Sequence, residues 1–80
     1  MTRDEIFRTV VLQVQAVLPE LPEAAITEQA SLAELGASSI DRVEVSIGAM
    51  EAIGLALPLT ALAGISSIGE LVDRLAQHSP

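Results

Sequence analysis

The sequence predicts an all-α domain, a small four-helix bundle with three main helices, one short third helix and a long first loop. Two observations favour this fold class. Apolar residues recur every three or four positions in three segments of the chain, as expected for helices with one buried face. Each of these segments also begins with a serine or threonine followed three residues later by an acidic residue, which is the spacing of a capping box.

The first predicted helix spans residues 2–18. A capping box of Thr2 and Glu5 begins it, and prolines at positions 19 and 22 end it. Its apolar stripe consists of Ile6, Val10, Val14 and Val17, widened by Phe7, Val11 and Leu18.

Residues 19–38 are predicted to form a long loop with a short turn at 31–34, just before Gly36. A loop of this length is uncommon in so small a domain unless it is functional or well packed. The apolar residues expected to pin it are Leu21, Ile26, Leu32 and Leu35.

The other helices are predicted at 39–53, 59–63 and 67–77. Gly54 is placed to end the second helix in a left-handed conformation, and Pro58 suits the first turn of the short third helix. A capping box of Ser67 and Glu70 begins the last helix.

The chain has 80 residues, which is enough for one domain. Hydrophobic residues make up 50% of it, yet Phe7 is the only aromatic residue, so the core must be built from aliphatic side chains. The 4 basic residues, all arginine, and the 11 acidic residues give a net charge of −7. Such a chain lacks the basic surface that binding to a phosphate backbone requires, so we expect no nucleic-acid partner.

The residue types that most active sites need are missing. The chain has no cysteine and no lysine, and its one histidine, His78, lies next to the C-terminus. We therefore expect no catalytic residues and no metal site. No apolar run reaches the about 20 residues of a membrane span, and the N-terminus does not resemble a signal peptide. The composition predicts a cytoplasmic protein that does not bind membranes, and we expect it to be a monomer.

The segment Leu35–Glu44, LGASSIDRVE, joins the long loop to the second helix. As local structure alone, Gly36 allows a tight turn, Ser38 caps the helix and Asp41 completes a capping box. A pair of serines at a helix start is usually no more than a cap.

The second helix carries two apolar stripes instead of the one that a surface helix in a small bundle needs. One stripe lies beside Ser39 and contains Ile40, Val43, Ile47 and Met50. The other contains Val45, Ala49 and Ile53. An acidic strip of Asp41, Glu44 and Glu51 separates them. One stripe must face the core and the other is free for a partner or ligand, but the spacing does not decide which is which.

The same segment resembles the signature of the acyl and peptidyl carrier proteins of fatty-acid and polyketide synthesis, Leu-Gly-x-Asp-Ser-Leu-Asp-x-Val-Glu at the start of the second of four helices. The resemblance covers the whole chain. It implies that a separate phosphopantetheinyl transferase attaches 4′-phosphopantetheine to Ser39, and that the thiol of this arm holds acyl groups as thioesters. The chain is then a non-catalytic carrier. Ser38 stands where the family usually has aspartate, which removes one acidic contact for the transferase but keeps a helix cap.

The resemblance also implies which residues contact partner enzymes. These residues are Ser38, Ile40, Asp41, Arg42, Val43, Glu44, Ile47 and Glu51. Ile40 corresponds to an exposed apolar residue that partners contact, while Asp41 and Glu44 resemble an acidic pair that meets basic patches. In the family, the stripe of Val45, Ala49 and Ile53 corresponds to the one that faces the core. Arg42 departs from a mostly acidic helix, and two interpretations stay open: a surface charge that is solvated or paired with Asp41 or Glu44, or a residue that selects among partners.

Two further residues of the second helix are predicted to be structural. Met50 is expected to pack within the protein rather than to bind a ligand. Gly48 weakens a helix by about 1 kcal/mol relative to alanine, which indicates that it permits close approach by another helix or by the acyl chain.

The pattern from Ser39 to Glu44 is similar to one subgroup, the discrete carriers that donate acetyl groups in the β-branching cassettes of polyketide pathways. In that subgroup, an enzyme resembling hydroxymethylglutaryl-CoA (HMG-CoA) synthase condenses the donor's acetyl unit with a β-ketoacyl chain on a different carrier. The implied partners are a phosphopantetheinyl transferase, this HMG-CoA-synthase-like condensing enzyme, and an acyltransferase or decarboxylating ketosynthase. Because the chain begins with Met, we expect a free-standing protein.

Two alternatives stay open. The chain is a polyketide, fatty-acid or peptidyl carrier for a different acyl unit, or it is a helical interaction domain that uses its second apolar stripe without a cofactor. An enzyme is the least favoured class, because these residues supply no base, nucleophile pair or metal set.

Overall fold

Three α-helices account for most of the chain, as predicted. The computed structural model describes residues 1–79 and has α1 at Arg3–Val17, α2 at Ser39–Ile53 and α3 at Ile68–His78. Two 3₁₀ turns, Glu23–Ala25 and Leu59–Leu62, lie in the connections. The predicted bounds of the three main helices agree with these to within one residue at each end. Within residues 1–79, no helix has the length and apolar character needed to cross a lipid bilayer.

Serine and threonine caps set the start of each helix. At α1, Thr2 Oγ1 accepts a hydrogen bond from the backbone of Glu5 at 3.2 Å, and the Thr2 backbone donates to the Glu5 carboxylate at 2.8 Å. At α3, Ser67 Oγ accepts from the Glu70 backbone at 3.2 Å. The Glu70 carboxylate, however, accepts from the backbone and hydroxyl of Ser66. The predicted capping box at Ser67 is therefore half wrong, because Ser66 offers the carboxylate two donors at once.

The short third helix forms only as the 3₁₀ turn Leu59–Leu62. Pro58 precedes this turn in an extended conformation and is not part of its first turn, as the sequence had suggested. Tertiary contacts hold this segment in place. Leu62 is buried, and Arg74 Nη1 donates hydrogen bonds to the carbonyl oxygens of Ala61 and Ala63 at 2.8 and 3.3 Å. Arg74 thus satisfies carbonyl groups that a longer helix would satisfy by itself.

The long first loop packs on the core through the apolar residues predicted to pin it. Ile26 is buried, and Leu21, Leu32 and Leu35 are partly buried against the core. The predicted turn before Gly36 forms, with the backbone of Leu35 donating to the carbonyl oxygen of Ser31 at 3.0 Å. The 3₁₀ turn Glu23–Ala25 inside this loop was not predicted.

The same loop is joined to the start of α3 by its backbone. The amides of Ile68 and Gly69 donate to the carbonyl oxygens of Ala30 and Glu28 at 2.9 and 2.8 Å. Gly69 permits this approach, because a Cβ at that position would lie 3.0 Å from the Glu28 carbonyl oxygen. A glycine in the first turn of α3 therefore has a packing reason.

The core is aliphatic, as the composition predicts, and α1 packs against both α2 and α3. Its fully buried side chains of largest volume are Ile6, Val10, Val14, Val45, Ile68, Val72 and Leu75. Val45 and Ala49 of α2 are buried and Ile53 is partly buried, so the stripe that the family resemblance placed inside is the inner one. Gly54 ends α2 with φ of 72°, the predicted left-handed cap.

Gly48 and Met50 are the two residues of α2 predicted to be structural. A Cβ at Gly48 would meet the amide end of the Gln13 side chain on α1, which is flexible, so Gly48 faces α1 but no backbone contact requires a glycine there. Met50 is 6% exposed and belongs to the core, which confirms its predicted packing role.

Arg3 connects three parts of the fold. Its Nε donates to Asp73 Oδ1 on α3 at 2.7 Å, and its Nη2 donates to Glu28 Oε1 in the loop at 2.5 Å. These are the ion pairs within residues 1–79. Because the loop carries few buried side chains, we infer that Arg3 contributes to holding it against the helices.

We predict that Arg3→Gln lowers the free energy of unfolding at pH 7 and has less effect in acid. The hydrogen bond from Arg3 holds the pKa of the Glu28 carboxyl below its ordinary value of 4.5. A carboxyl whose pKa is lowered on folding contributes stability above its unfolded pKa, and this contribution is lost as the pH falls through the folded pKa. Thermal unfolding at pH 7 and well below pH 4.5 measures the difference.

Arg8→Gln is the matched control, because it removes the same charge from an exposed arginine of α1 that has no ion pair within residues 1–79. A loss of stability that is the same for Arg3→Gln at both pH values would contradict the prediction.

Candidate functional site

The site lies at the junction between the long loop and α2, and a capping box fixes its geometry. Gly36 turns the chain with φ of 98°, and Ala37 is buried at the junction. Ser38 Oγ accepts from the backbone of Asp41 at 3.1 Å, and the Ser38 backbone donates to Asp41 Oδ2 at 3.0 Å. The predicted capping roles of Ser38 and Asp41 are confirmed. Because Ser38 supplies the cap, the hydroxyl of Ser39 is not needed to hold the helix.

Ser39 is exposed at the first position of α2. Its Oγ accepts a hydrogen bond from Arg42 Nη2 at 3.4 Å, and no other protein group within residues 1–79 bonds to this hydroxyl. A guanidinium has donors only and is always charged, so Arg42 cannot serve as a base for the hydroxyl. Ser39 is an accessible nucleophile that its own chain does not activate.

Arg42 is exposed and forms no ion pair with Asp41 or Glu44 within the described residues, so of the two forms of surface charge left open by the sequence, the paired one is not seen. The reason is helical geometry. Residues three or four positions apart face each other on a helix, whereas residues one or two apart do not. Arg42 therefore faces Ser39, three residues earlier, and the carboxylate of Asp41 is already bonded to the cap.

All but one of the residues predicted to contact partners are exposed. The exposed ones are Ser38, Ile40, Arg42, Val43, Glu44, Ile47 and Glu51. Ile40 is 72% exposed, and Val43 and Ile47 of the same stripe are each 40% exposed, so several apolar side chains lie together on the surface of α2. Asp41 differs from the others, because it is half-buried and uses Oδ2 in the cap. Of the predicted acidic pair, Glu44 is the residue whose carboxylate is free of hydrogen bonds within residues 1–79.

A cleft of about 540 Å³ opens beside Ser39, between α2, the loop at 31–33 and the segment 59–67. Its apolar lining includes Leu32, Val43, Leu59, Leu62, Ile65 and Leu71. Ser39 and Arg42 belong to its polar lining. Sequence reasoning missed this cleft and the 43% exposed Leu59 in its wall. The available signal was an apolar run at 55–62 that Pro58 interrupts, which is too apolar for an ordinary surface turn.

Titratable groups do not assemble into a catalytic or metal-binding cluster in the described part of the chain. Within residues 1–79, no three His, Cys, Asp or Glu side chains are placed to hold a metal ion. Glu70, near the wall of the cleft, stays ionised because hydrogen bonds from Ser66 hold the pKa of its carboxyl below the ordinary value. It accepts from Ser66 and does not contact Ser39.

These features fit a covalently attached phosphodiester arm. The exposed hydroxyl of Ser39 is a nucleophile, the Arg42 guanidinium is a cation of the kind that binds phosphate, and the neighbouring cleft offers an apolar surface. Such a site in a small helical protein is typical of a carrier, whose cargo is loaded and processed by other proteins.

Comparison with known proteins identifies the kind of carrier. The family described as "Phosphopantetheine attachment site" matches residues 8–75. The chain is 36% identical over 75 residues to the polyketide biosynthesis acyl-carrier-protein AcpK of Bacillus subtilis (strain 168), a match covering 94% of this chain and 92% of that protein. It is 37% identical over 87 residues to an acyl carrier protein of Saccharopolyspora erythraea, covering 99% of this chain and 90% of the other.

One solved structure is also similar. A chain in the crystal structure of the curacin biosynthetic pathway HMG synthase in complex with acetyl donor-ACP superposes with a TM-score of 0.89 and 31% identity. The match covers 96% of this chain and 99% of that one. The chain belongs to the family of acyl carrier proteins. It is a non-catalytic carrier that holds acyl groups on covalent 4′-phosphopantetheine, which excludes the cofactor-free interaction domain.

We predict that Ser38→Ala lowers the free energy of unfolding by about 1 kcal/mol, because it removes the side-chain cap of α2. Ser39→Ala should leave stability nearly unchanged, since this hydroxyl bonds to no backbone group of the helix. Urea unfolding followed by circular dichroism compares the two variants with the wild type. Equal effects of the two substitutions would contradict the assignment of the cap to Ser38.

Proposed function

We propose that this chain donates acetyl groups to an HMG-CoA-synthase-like condensing enzyme in polyketide β-branching, with Ser39 as the site of phosphopantetheine attachment. The similarity to a chain in the complex of an HMG synthase with its acetyl donor-ACP carries the proposal. Because that chain and this one have nearly the same length, the matched chain is the carrier of that complex. The identity to a polyketide carrier of Bacillus subtilis supports the same pathway class.

The choice of Ser39 over Ser38 rests on what each hydroxyl does. Ser38 Oγ accepts the hydrogen bond that caps α2, and modifying it would disturb that cap. Ser39 Oγ is exposed and contacts only the flexible side chain of Arg42. In the attachment step the Ser39 oxygen forms a bond to the phosphorus that carries the pantetheine of coenzyme A, the pyrophosphate bond breaks, and adenosine 3′,5′-bisphosphate leaves while the hydroxyl proton is removed. The base that takes this proton belongs to the transferase, since no base lies beside Ser39.

Intact mass after incubation with coenzyme A and a promiscuous phosphopantetheinyl transferase tests the attachment site. Wild type and Ser38→Ala should gain one phosphopantetheinyl group, and Ser39→Ala should gain none. Peptide mapping then locates the group. Modification of Ser38, or of the Ser39→Ala variant, would overturn the assignment.

Partner recognition is proposed to combine charge and apolar contact on the exposed side of α2. Glu44 and Glu51 extend the acidic character of a chain with net charge −7, which accelerates association with basic patches. Ile40 provides an apolar anchor whose burial slows dissociation. Arg42 adds one positive charge, and a charge of opposite sign within an acidic surface helps to distinguish partners. The proposed partners besides the condensing enzyme are the transferase and an acyltransferase or decarboxylating ketosynthase, and the proposed compartment is the cytoplasm, where coenzyme A and such enzymes meet.

The donor role is tested by acetyl transfer. The carrier bearing acetyl on its arm is mixed with an HMG-CoA-synthase-like enzyme of a β-branching cassette and a second carrier bearing a β-ketoacyl chain. We expect condensation from this chain at a rate at least tenfold above that from an ordinary fatty-acid carrier. Equal rates would favour the second candidate, a general polyketide carrier, to which the similarity with the Saccharopolyspora erythraea acyl carrier protein points.

Variants in the same assay test the recognition residues. Glu44→Lys should slow association with the enzyme, and the effect should weaken as salt screens the charges. Ile40→Ala should instead speed dissociation, with little effect of salt. Glu23→Lys makes the same charge change at an exposed residue outside α2 and is the control. If Glu23→Lys slows association as much as Glu44→Lys, net charge rather than this surface explains the effect.

A further inference from the structure

The four arginines of the chain have different surroundings, and those of Arg42 are unusual. Arg3 pairs with two carboxylates, and Arg74 donates to two carbonyl oxygens of the segment beside the cleft. Arg8 is exposed on α1. Arg42 is exposed on α2, and within residues 1–79 its side chain contacts the hydroxyl of Ser39 and no carboxylate. It is a cation without a counter-ion beside the proposed attachment point.

We propose that Arg42 binds the phosphodiester at the base of the phosphopantetheine arm within the carrier itself, an inference that rests on the proposed attachment at Ser39. Attachment adds an anionic group to the oxygen that Arg42 Nη2 approaches to 3.4 Å in the unmodified chain. A guanidinium has five N–H donors in a planar fork that suits two phosphate oxygens. The negative charge therefore arises next to a cation that is already on the correct side of the helix.

The position of Arg42 also gives the arm a direction. Ser39 and Arg42 both line the cleft, whereas the acidic residues Asp41 and Glu44 do not. A phosphodiester on Ser39 is attracted toward the cleft by Arg42 and repelled from the acidic strip. Holding the phosphate there biases the first part of the arm toward the apolar wall that includes Leu59 and Ile65. Arg42 is thus a positioning residue for the arm, in addition to any contact with partners.

Nuclear magnetic resonance of the loaded carrier tests this role without a partner enzyme. Intact mass and peptide mapping first establish that the arm is on Ser39, and failure at that step overturns the attachment site itself. The Nε–Hε signal of Arg42 is then compared between unmodified and loaded ¹⁵N-labelled wild type. We expect this signal to shift on loading and to return toward its unmodified position at high salt, because salt screens an exposed ion pair.

The ³¹P signal of the phosphodiester is the second readout. Arg42→Gln removes the charge and Arg42→Lys keeps it without the planar fork, while Arg8→Gln removes one charge from α1 as the matched control. We expect the ³¹P signal of loaded Arg42→Gln to be displaced from that of the wild type, that of Arg42→Lys to lie between them, and that of Arg8→Gln to coincide with the wild type.

Nuclear Overhauser effects between the methyl groups of the arm and those of Leu59 and Ile65 report its direction. These effects should be present in the loaded wild type and lost in Arg42→Gln. An Arg42 signal that is unchanged by loading at low salt, together with coincident ³¹P signals of the wild type and Arg42→Gln, overturns the proposal while leaving attachment at Ser39 intact. The comparison of unmodified and loaded wild type needs no variant, so it stands even if a variant loads poorly.

Discussion

The pair of hydrogen bonds between Ser38 and Asp41 determines where α2 begins, and the exposed surface of the protein depends on that starting point. A shift of one residue would rotate every side chain of the helix by about 100° around its axis. Val45 and Ala49 would then leave the core, and Ile40 would no longer project beside Ser39. The cap uses the hydroxyl of Ser38, and the hydroxyl of Ser39 stays exposed. A local interaction of two short polar side chains thus fixes both the packing of α2 and the position of Ser39, the proposed attachment point.

The rest of the molecule keeps that helix in place with few polar contacts. The core consists of aliphatic side chains and Met50, with Phe7 packed against it, and α1 packs against both other helices. The irregular segments are attached by arginines and by backbone hydrogen bonds: Arg3 and the amides of Ile68 and Gly69 hold the long loop, and Arg74 holds the segment 59–67. Each of these groups reaches the loop backbone or a loop side chain from a regular helix, so the helices define the position of the loops.

Features set by local sequence could be predicted, and features set by tertiary packing could not. The caps at Thr2 and Ser38 depend on residues within one turn, and the periodicity of α2 defined its two faces, although the family resemblance was needed to choose the inner one. Glu70 is an example of a contact that local sequence does not determine. Its carboxylate accepts hydrogen bonds from Ser66 and not from the backbone of Ser67, and this choice depends on the backbone conformation before α3. The cleft is formed by segments distant in sequence, so the apolar run at 55–62 could indicate one of its walls but not the cleft itself. The orientation of Arg42 toward Ser39 follows from helical spacing, but the sequence interpretation considered only a solvated charge, a pairing with the two nearby carboxylates or a role in partner selection.

The two walls of the cleft differ in how much resistance they offer to displacement. One wall is α2, a regular helix in which each turn is bonded to the next. The opposite wall, around Leu59 and Ile65, contains a single 3₁₀ turn and is tethered by the two hydrogen bonds from Arg74. Moving it outward breaks side-chain contacts and leaves the backbone ladder of every helix intact. The shape of one wall is therefore set by the helical hydrogen bonds of α2, whereas the position of the other wall depends on tertiary contacts, those of Arg74 and of the buried Leu62.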